Sequence, residues 1–97
     1  MASHVVAAGD IAVHDVTLVA GVVESVTFTD DPQQVEVVTD GAAKTYVTTD
    51  GSTPTIGGGK TYVIPAVPCA RTIRHWKKVA AVQLLSNGAP TVSVTLV

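Results

Sequence analysis

Val22-Val23-Glu24-Ser25-Val26-Thr27-Phe28-Thr29 alternates with a period of two, which sets Val22, Glu24, Val26 and Phe28 against Val23, Ser25, Thr27 and Thr29. That period is the pleat of a β-strand with one face on a core and the other toward solvent. The closing stretch behaves the same way, with Val92, Val94 and Leu96 on one side and Thr91, Ser93 and Thr95 on the other. Val and Thr together make up about a third of the 97 residues. Both branch at Cβ, which stiffens the side chain and suits a pleated surface better than a helix. The chain therefore reads as all-β.

Working outward, turn-forming residues recur at short intervals: Ala20-Gly21, Asp30-Asp31-Pro32, Asp40-Gly41, Asp50-Gly51, Gly57-Gly58-Gly59 and Asn87-Gly88-Ala89-Pro90. Between them, strands are expected near 13–19, 22–29, 34–39, 43–49, 60–65, 71–76, 79–86 and 91–97. Short strands at such spacing point to a sandwich or barrel, not to βαβ units. Asp40-Gly41 and Asn87-Gly88 have the composition of hairpin turns, because both positions tolerate positive φ. The segment 75–86 also carries a helical spacing through Trp76, Val79, Ala80 and Gln83. Strand is the better reading, since no N-capping residue precedes it and a turn follows. Residues 13–97 form one domain of about seven to eight short strands on this reading. Residues 1–12, without periodicity beyond Val5-Val6, read as an N-terminal arm whose removal would leave stability unchanged.

Composition narrows the function. A chain of this length buries roughly 60–70% of its unfolded surface, so its core is modest and assembly would add stability. Charged residues are only 14% of the chain and the net charge is −2. Four of the six basic residues, Arg71, Arg74, Lys77 and Lys78, fall between 71 and 78. Such a run is either a solvated strand edge that discourages pairing or a patch that meets an acidic protein surface. Nucleic acid fits poorly, because Trp76 is the lone stacking face among these cations and the chain is acidic overall. The single cysteine, Cys69, forms no internal disulfide. The first ten residues lack the charge and apolar run of a signal peptide, and no stretch is long and apolar enough for a membrane span.

The chemistry-bearing motifs are weak. Gly57-Gly58-Gly59-Lys60-Thr61 suggests a phosphate loop, but Pro54 stands where the first glycine belongs and a strand-like Tyr62-Val63-Ile64-Pro65 follows. His4, His14 and His75 are too scattered for a metal set, and the aspartates sit at turns, where they cap backbone amides. No Gly-x-Ser-x-Gly elbow marks a nucleophile. The expectation is a non-enzymatic domain without cofactor or metal.

Lys44-Thr-Tyr-Val-Thr-Thr-Asp-Gly-Ser-Thr-Pro-Thr55 is the most specific phrase. It resembles the Tyr-x-Thr-x-Asp-Gly-Ser-x-Pro-Thr signature of immunoglobulin-like domains appended to β-hexosaminidases and other carbohydrate enzymes, which implies an immunoglobulin-like β-sandwich. From about Val13 to the end the chain also resembles small virion proteins of tailed phages of actinobacteria. The matching features are the early Thr-rich strand, Val35-Glu-Val-Val, Thr49-Asp-Gly-Ser-Thr-Pro-Thr-Ile-Gly-Gly, Thr61-Tyr-Val-Ile-Pro-Ala and Leu85-Ser-Asn-Gly-Ala-Pro-Thr-Val-Ser-Val. Arg71–Lys78 departs from that pattern.

The resemblance implies a head or tail structural protein without catalytic residues, made in the host cytoplasm and resident in the virion. A capsid decoration protein is the leading expectation, binding the major capsid protein or other virion proteins and forming a homo-oligomer. A minor tail or head–tail junction component is the alternative within the virion. A carbohydrate-binding accessory domain using Tyr62 or Trp76 is the alternative outside it. The expected partner-binding residues are Val5, Val6, Arg71, Arg74, Trp76, Lys77 and Lys78.

Overall fold

The computed structural model describes residues 2–30, 34–74 and 81–96. Nine strands form two sheets: β1 (Ala2–Val6), β2 (Ala12–Thr17), β3 (Glu24–Phe28), β4 (Gln34–Thr39), β5 (Thr45–Thr48), β6 (Tyr62–Ile64), β7 (Cys69–Arg74), β8 (Val82–Ser86) and β9 (Thr91–Leu96). A five-stranded sheet has the order β1-β3-β8-β5-β6, and a four-stranded sheet the order β2-β9-β4-β7. Every pairing is antiparallel except β1 with β3.

All eight expected strands are present, within a few residues of their expected ends. The alternation read from β3 and β9 is the burial seen: Val26 and Phe28, and Val92 and Val94, face inward. They meet Val16, Val35, Val37, Val47, Ile64, Ile73, Val82 and Leu84 in one core between the sheets. For 75–86, Val82–Ser86 is strand, while 75–80, with Trp76, Lys77 and Lys78, lie outside the described residues.

The ninth strand corrects the reading of residues 1–12 as an arm. Ala2–Val6 pairs with β3 in register from Ala2↔Glu24 to Val6↔Phe28, and Val6 is 3% exposed within the core. Burying a Val side chain stabilises by about 1.5–3 kcal/mol, so removing this segment costs stability. Local patterning misses β1 because Val6 is buried while its neighbour Val5 is exposed, and the register is written in β3.

A second correction concerns the turns. β4 and β5 lie in different sheets, as do β8 and β9, so Asp40-Gly41 and Asn87-Gly88 are sandwich corners and not hairpins. Turn chemistry fixes the local φ but not which sheet the next strand joins. Gly41 has φ of 80°, and a Cβ there would sit 2.2 Å from the Val67 carbonyl carbon, so the two corners pack backbone against backbone. Gly21 donates to the carbonyl of Ser86, whose hydroxyl donates to the Lys44 carbonyl. The corners 18–23, 40–44, 65–68 and 87–90 thus close one end of the sandwich. β5 and β6 alone are consecutive strands in one sheet, and the segment between them, 49–61, lies at the other end.

Candidate docking surfaces and the groove beside Asp50

Strand parity separates the two described residues of the basic run. In β7, Cys69, Arg71 and Ile73 point toward the opposite sheet, while Ala70, Thr72 and Arg74 point outward, because residues three apart lie on opposite faces. β7 and β6 are the adjacent outer strands of the two sheets. Arg71 reaches across the flank between them, donating through Nη1 to the Val63 carbonyl at 2.9 Å with its guanidinium carbon 5.2 Å from the Tyr62 ring centroid. Arg71 is therefore tied to the neighbouring sheet, while Arg74 is exposed on the outer face. The four described members of the expected site do not converge: Val5 is exposed on β1, Val6 is buried, and both lie at the edge of the five-stranded sheet far from Arg71 and Arg74.

The phrase that carried the immunoglobulin-like resemblance folds back over the five-stranded sheet. Tyr46 and Thr48 lie on that sheet's outer side, yet both are buried. The Thr48 hydroxyl donates to the Ser52 carbonyl, the Gln83 amide donates to the Gly51 carbonyl at 3.0 Å, and Pro54 is buried. Asp50 anchors this fold: its Oδ1 accepts from the backbone N–H of Ser52 at 2.9 Å and from the Ser52 hydroxyl. These bonds, with Lys60 Nζ 3.9 Å from Oδ2, hold the Asp50 carboxyl below its usual range.

An open groove of about 200 Å³ lies beside Asp50, lined by Thr49, Asp50, Lys60 and Tyr62. Its aromatic wall is occupied. Tyr62 packs against the core, and Arg71 lies over the ring. A sugar stacking on Tyr62 would have to displace that guanidinium. The Gly57-Gly58-Gly59 run is a turn, with Gly58 donating to the Thr55 carbonyl and Thr61 to the Gly58 carbonyl. No helix follows it, so the geometry of a phosphate loop is absent there. Among the described residues no group of three His, Cys, Asp or Glu side chains is placed to hold a metal.

A second surface is the outer face of the four-stranded sheet. By register it presents Ala12 and Thr17 from β2, Thr91, Ser93 and Thr95 from β9, Gln34, Glu36 and Val38 from β4, and Ala70, Thr72 and Arg74 from β7. Glu36 and Arg74 are its two charged side chains, apart from Asp15 in a bulge at the β2 edge. The other nine of the eleven are uncharged, five of them Thr or Ser. Most described charges lie instead at the ends of the sandwich, on Asp10, Asp30, Asp40, Lys44, Asp50 and Lys60. No local cluster marks this face in the sequence, because it is defined only by what four strands share across three registers. Compared with protein-family models, characterised proteins and solved structures, the chain matches none of them.

Proposed function

We propose that this chain is a structural protein of a tailed-phage virion that binds the assembled head as a capsid decoration protein. The choice of a virion rests on the resemblance from Val13 onward. The reading of the domain as a docking module rests on the outer face of β2, β9, β4 and β7, where nine of the eleven side chains are uncharged. Interface centres are depleted in charge, because each charged group must be desolvated when the surfaces close. An immunoglobulin-like assignment of the sandwich rests on the Lys44–Thr55 phrase and belongs to the same proposal.

The test is sedimentation of the purified protein with and without its cognate assembled heads, at low and high salt. Decoration requires co-sedimentation that saturates at a lattice-like stoichiometry, with free capsid subunits not retained. Ser93→Arg, at the centre of the proposed face, should abolish co-sedimentation while leaving the protein folded. Equal retention of shells and free subunits would count against cementing. Binding to tails and not heads would shift the assignment to a tail or junction component.

A further inference from the structure

A two-sheet sandwich has four outer strands, and each presents unpaired backbone groups unless something blunts them. Here three are blunted. β2 carries a bulge between Val13 and Val16, with Asp15 at a φ of 56°, which interrupts any regular ladder. β6 is three residues long, ends at Pro65, and has its Val63 carbonyl taken by Arg71. β7 carries Arg71 across its flank and Arg74 beside it. β1 has no such device. Ala2-Ser3-His4-Val5-Val6 contains no proline and no bulge, and its one titratable side chain, His4, turns inward to Glu24 at 3.1 Å.

The free edge of β1 can be assigned residue by residue. The Val6 carbonyl accepts from the Thr29 N–H at 2.9 Å, so Val6 directs its backbone groups toward β3. By alternation His4 and Ala2 do the same, leaving the N–H and C=O of Ser3 and Val5 on the outer edge. We propose that this edge binds a second copy of the chain, β1 against β1 in antiparallel register about a two-fold axis at His4. In that register Ser3 of each copy faces Val5 of the other as a hydrogen-bonded pair. All four free backbone groups of each edge are then satisfied, and the two five-stranded sheets become one.

A second copy is the fitting occupant because each chain offers one unblunted edge among the described strands, and a two-fold contact pairs like with like. Val5 supports the placement: its side chain is 71% exposed, an apolar group that the ladder would cover in part. This inference does not depend on the virion assignment, since it concerns the free chain.

Sedimentation equilibrium of the purified chain tests it. The native protein is expected to be a dimer, and Val5→Pro at least tenfold weaker in self-association. The proline removes an outward N–H and leaves the β1–β3 ladder intact, which proline tolerates on an outer strand. A second measurement guards against a fold defect in that variant. In a Cys69→Ser background, Ser3→Cys mixed with Val5→Cys should give an intermolecular disulfide on mild oxidation, and Ser3→Cys alone should not. A monomeric native chain, a Val5→Pro protein that associates as the native one does, or crosslinking without regard to register would each overturn the proposal.

Discussion

Arg71 donates to the Val63 carbonyl across the gap between the two sheets, joining the outer strand of one to the outer strand of the other. The contact closes a flank that the core leaves open, since β6 and β7 are linked by the corner at 65–68 and share no ladder. The stem of Arg71 also lies on the same side of β7 as Ile73, whose side chain is 2% exposed. Arg74, three residues on, faces the other way. The two described cations of the run, close in sequence, are thus separate features in space.

Stability should follow that division. Arg71→Met keeps an apolar stem but removes the hydrogen bond and the ring contact, which together are worth about 1–2 kcal/mol. Arg74→Met alters an outward side chain and should change stability by no more than about 0.5 kcal/mol. Urea midpoints of the two variants measure the difference. Equal shifts would mean that the crossing contact contributes nothing in solution.

The core holds one polar atom that works against it. Thr45 is fully buried, facing Ile64 and Ser86 across its two ladders, and its Oγ1 has no hydrogen-bond partner among the described residues. Thr45→Val replaces that hydroxyl by a methyl group and should stabilise the protein by about 1 kcal/mol. Ser86, directly opposite, behaves in the contrary sense. Its hydroxyl donates to the Lys44 carbonyl at 2.6 Å and accepts from the Gly88 N–H at 3.1 Å. Ser86→Ala should therefore destabilise by about 1–3 kcal/mol. Thermal melts that moved both variants downward would show that the Thr45 hydroxyl is satisfied after all.

Gly41 and Gly59 give a matched comparison of backbone demand. Gly41→Ala meets both a left-handed φ and the Val67–Pro68 backbone within 2.6 Å, neither of which can yield cheaply. A loss above about 3 kcal/mol is expected, in the range of severe single substitutions. A Cβ on Gly59 meets nothing within 4 Å and needs no positive φ. Gly59→Ala should be neutral or stabilising by up to about 1 kcal/mol, through the unfolded chain's lost freedom. Denaturation curves for the pair would separate the two cases directly.

These particulars also mark what the sequence makes legible. Val26 and Phe28, and Val92 and Val94, can be placed inside from alternation alone, because each strand repeats its own signal. Val6 cannot, since a parallel partner 22 residues away, Phe28, supplies the register. Asp40-Gly41 announces a reversal, but the choice between hairpin and corner depends on how β4 and β5 divide between sheets, which no local residue encodes. Arg71 and Arg74 could have been separated by counting parity within 69–74. The partner of Arg71, a carbonyl on β6, could not have been named, because a backbone acceptor leaves no mark on the sequence.

Asp50 supplies a test of the loop that folds over the five-stranded sheet. The Ser52 hydroxyl, the Ser52 N–H and Lys60 all favour its ionised form and hold its carboxyl below the usual value of 3.8. A carboxyl depressed in the folded state stabilises the fold fully above its unfolded value, and that contribution fades as pH falls through the lowered folded value. The native protein should therefore lose more stability than Asp50→Asn between about pH 5 and pH 2. Because the Ser52 hydroxyl is the larger cause, Ser52→Ala should shrink that difference more than Lys60→Met does. Urea denaturation across this range, run on all four proteins, decides the point. A native curve parallel to that of Asp50→Asn would mean that the Asp50–Ser52 bonds do not persist in solution, and with them would go the account of how residues 51–54 are held over Tyr46.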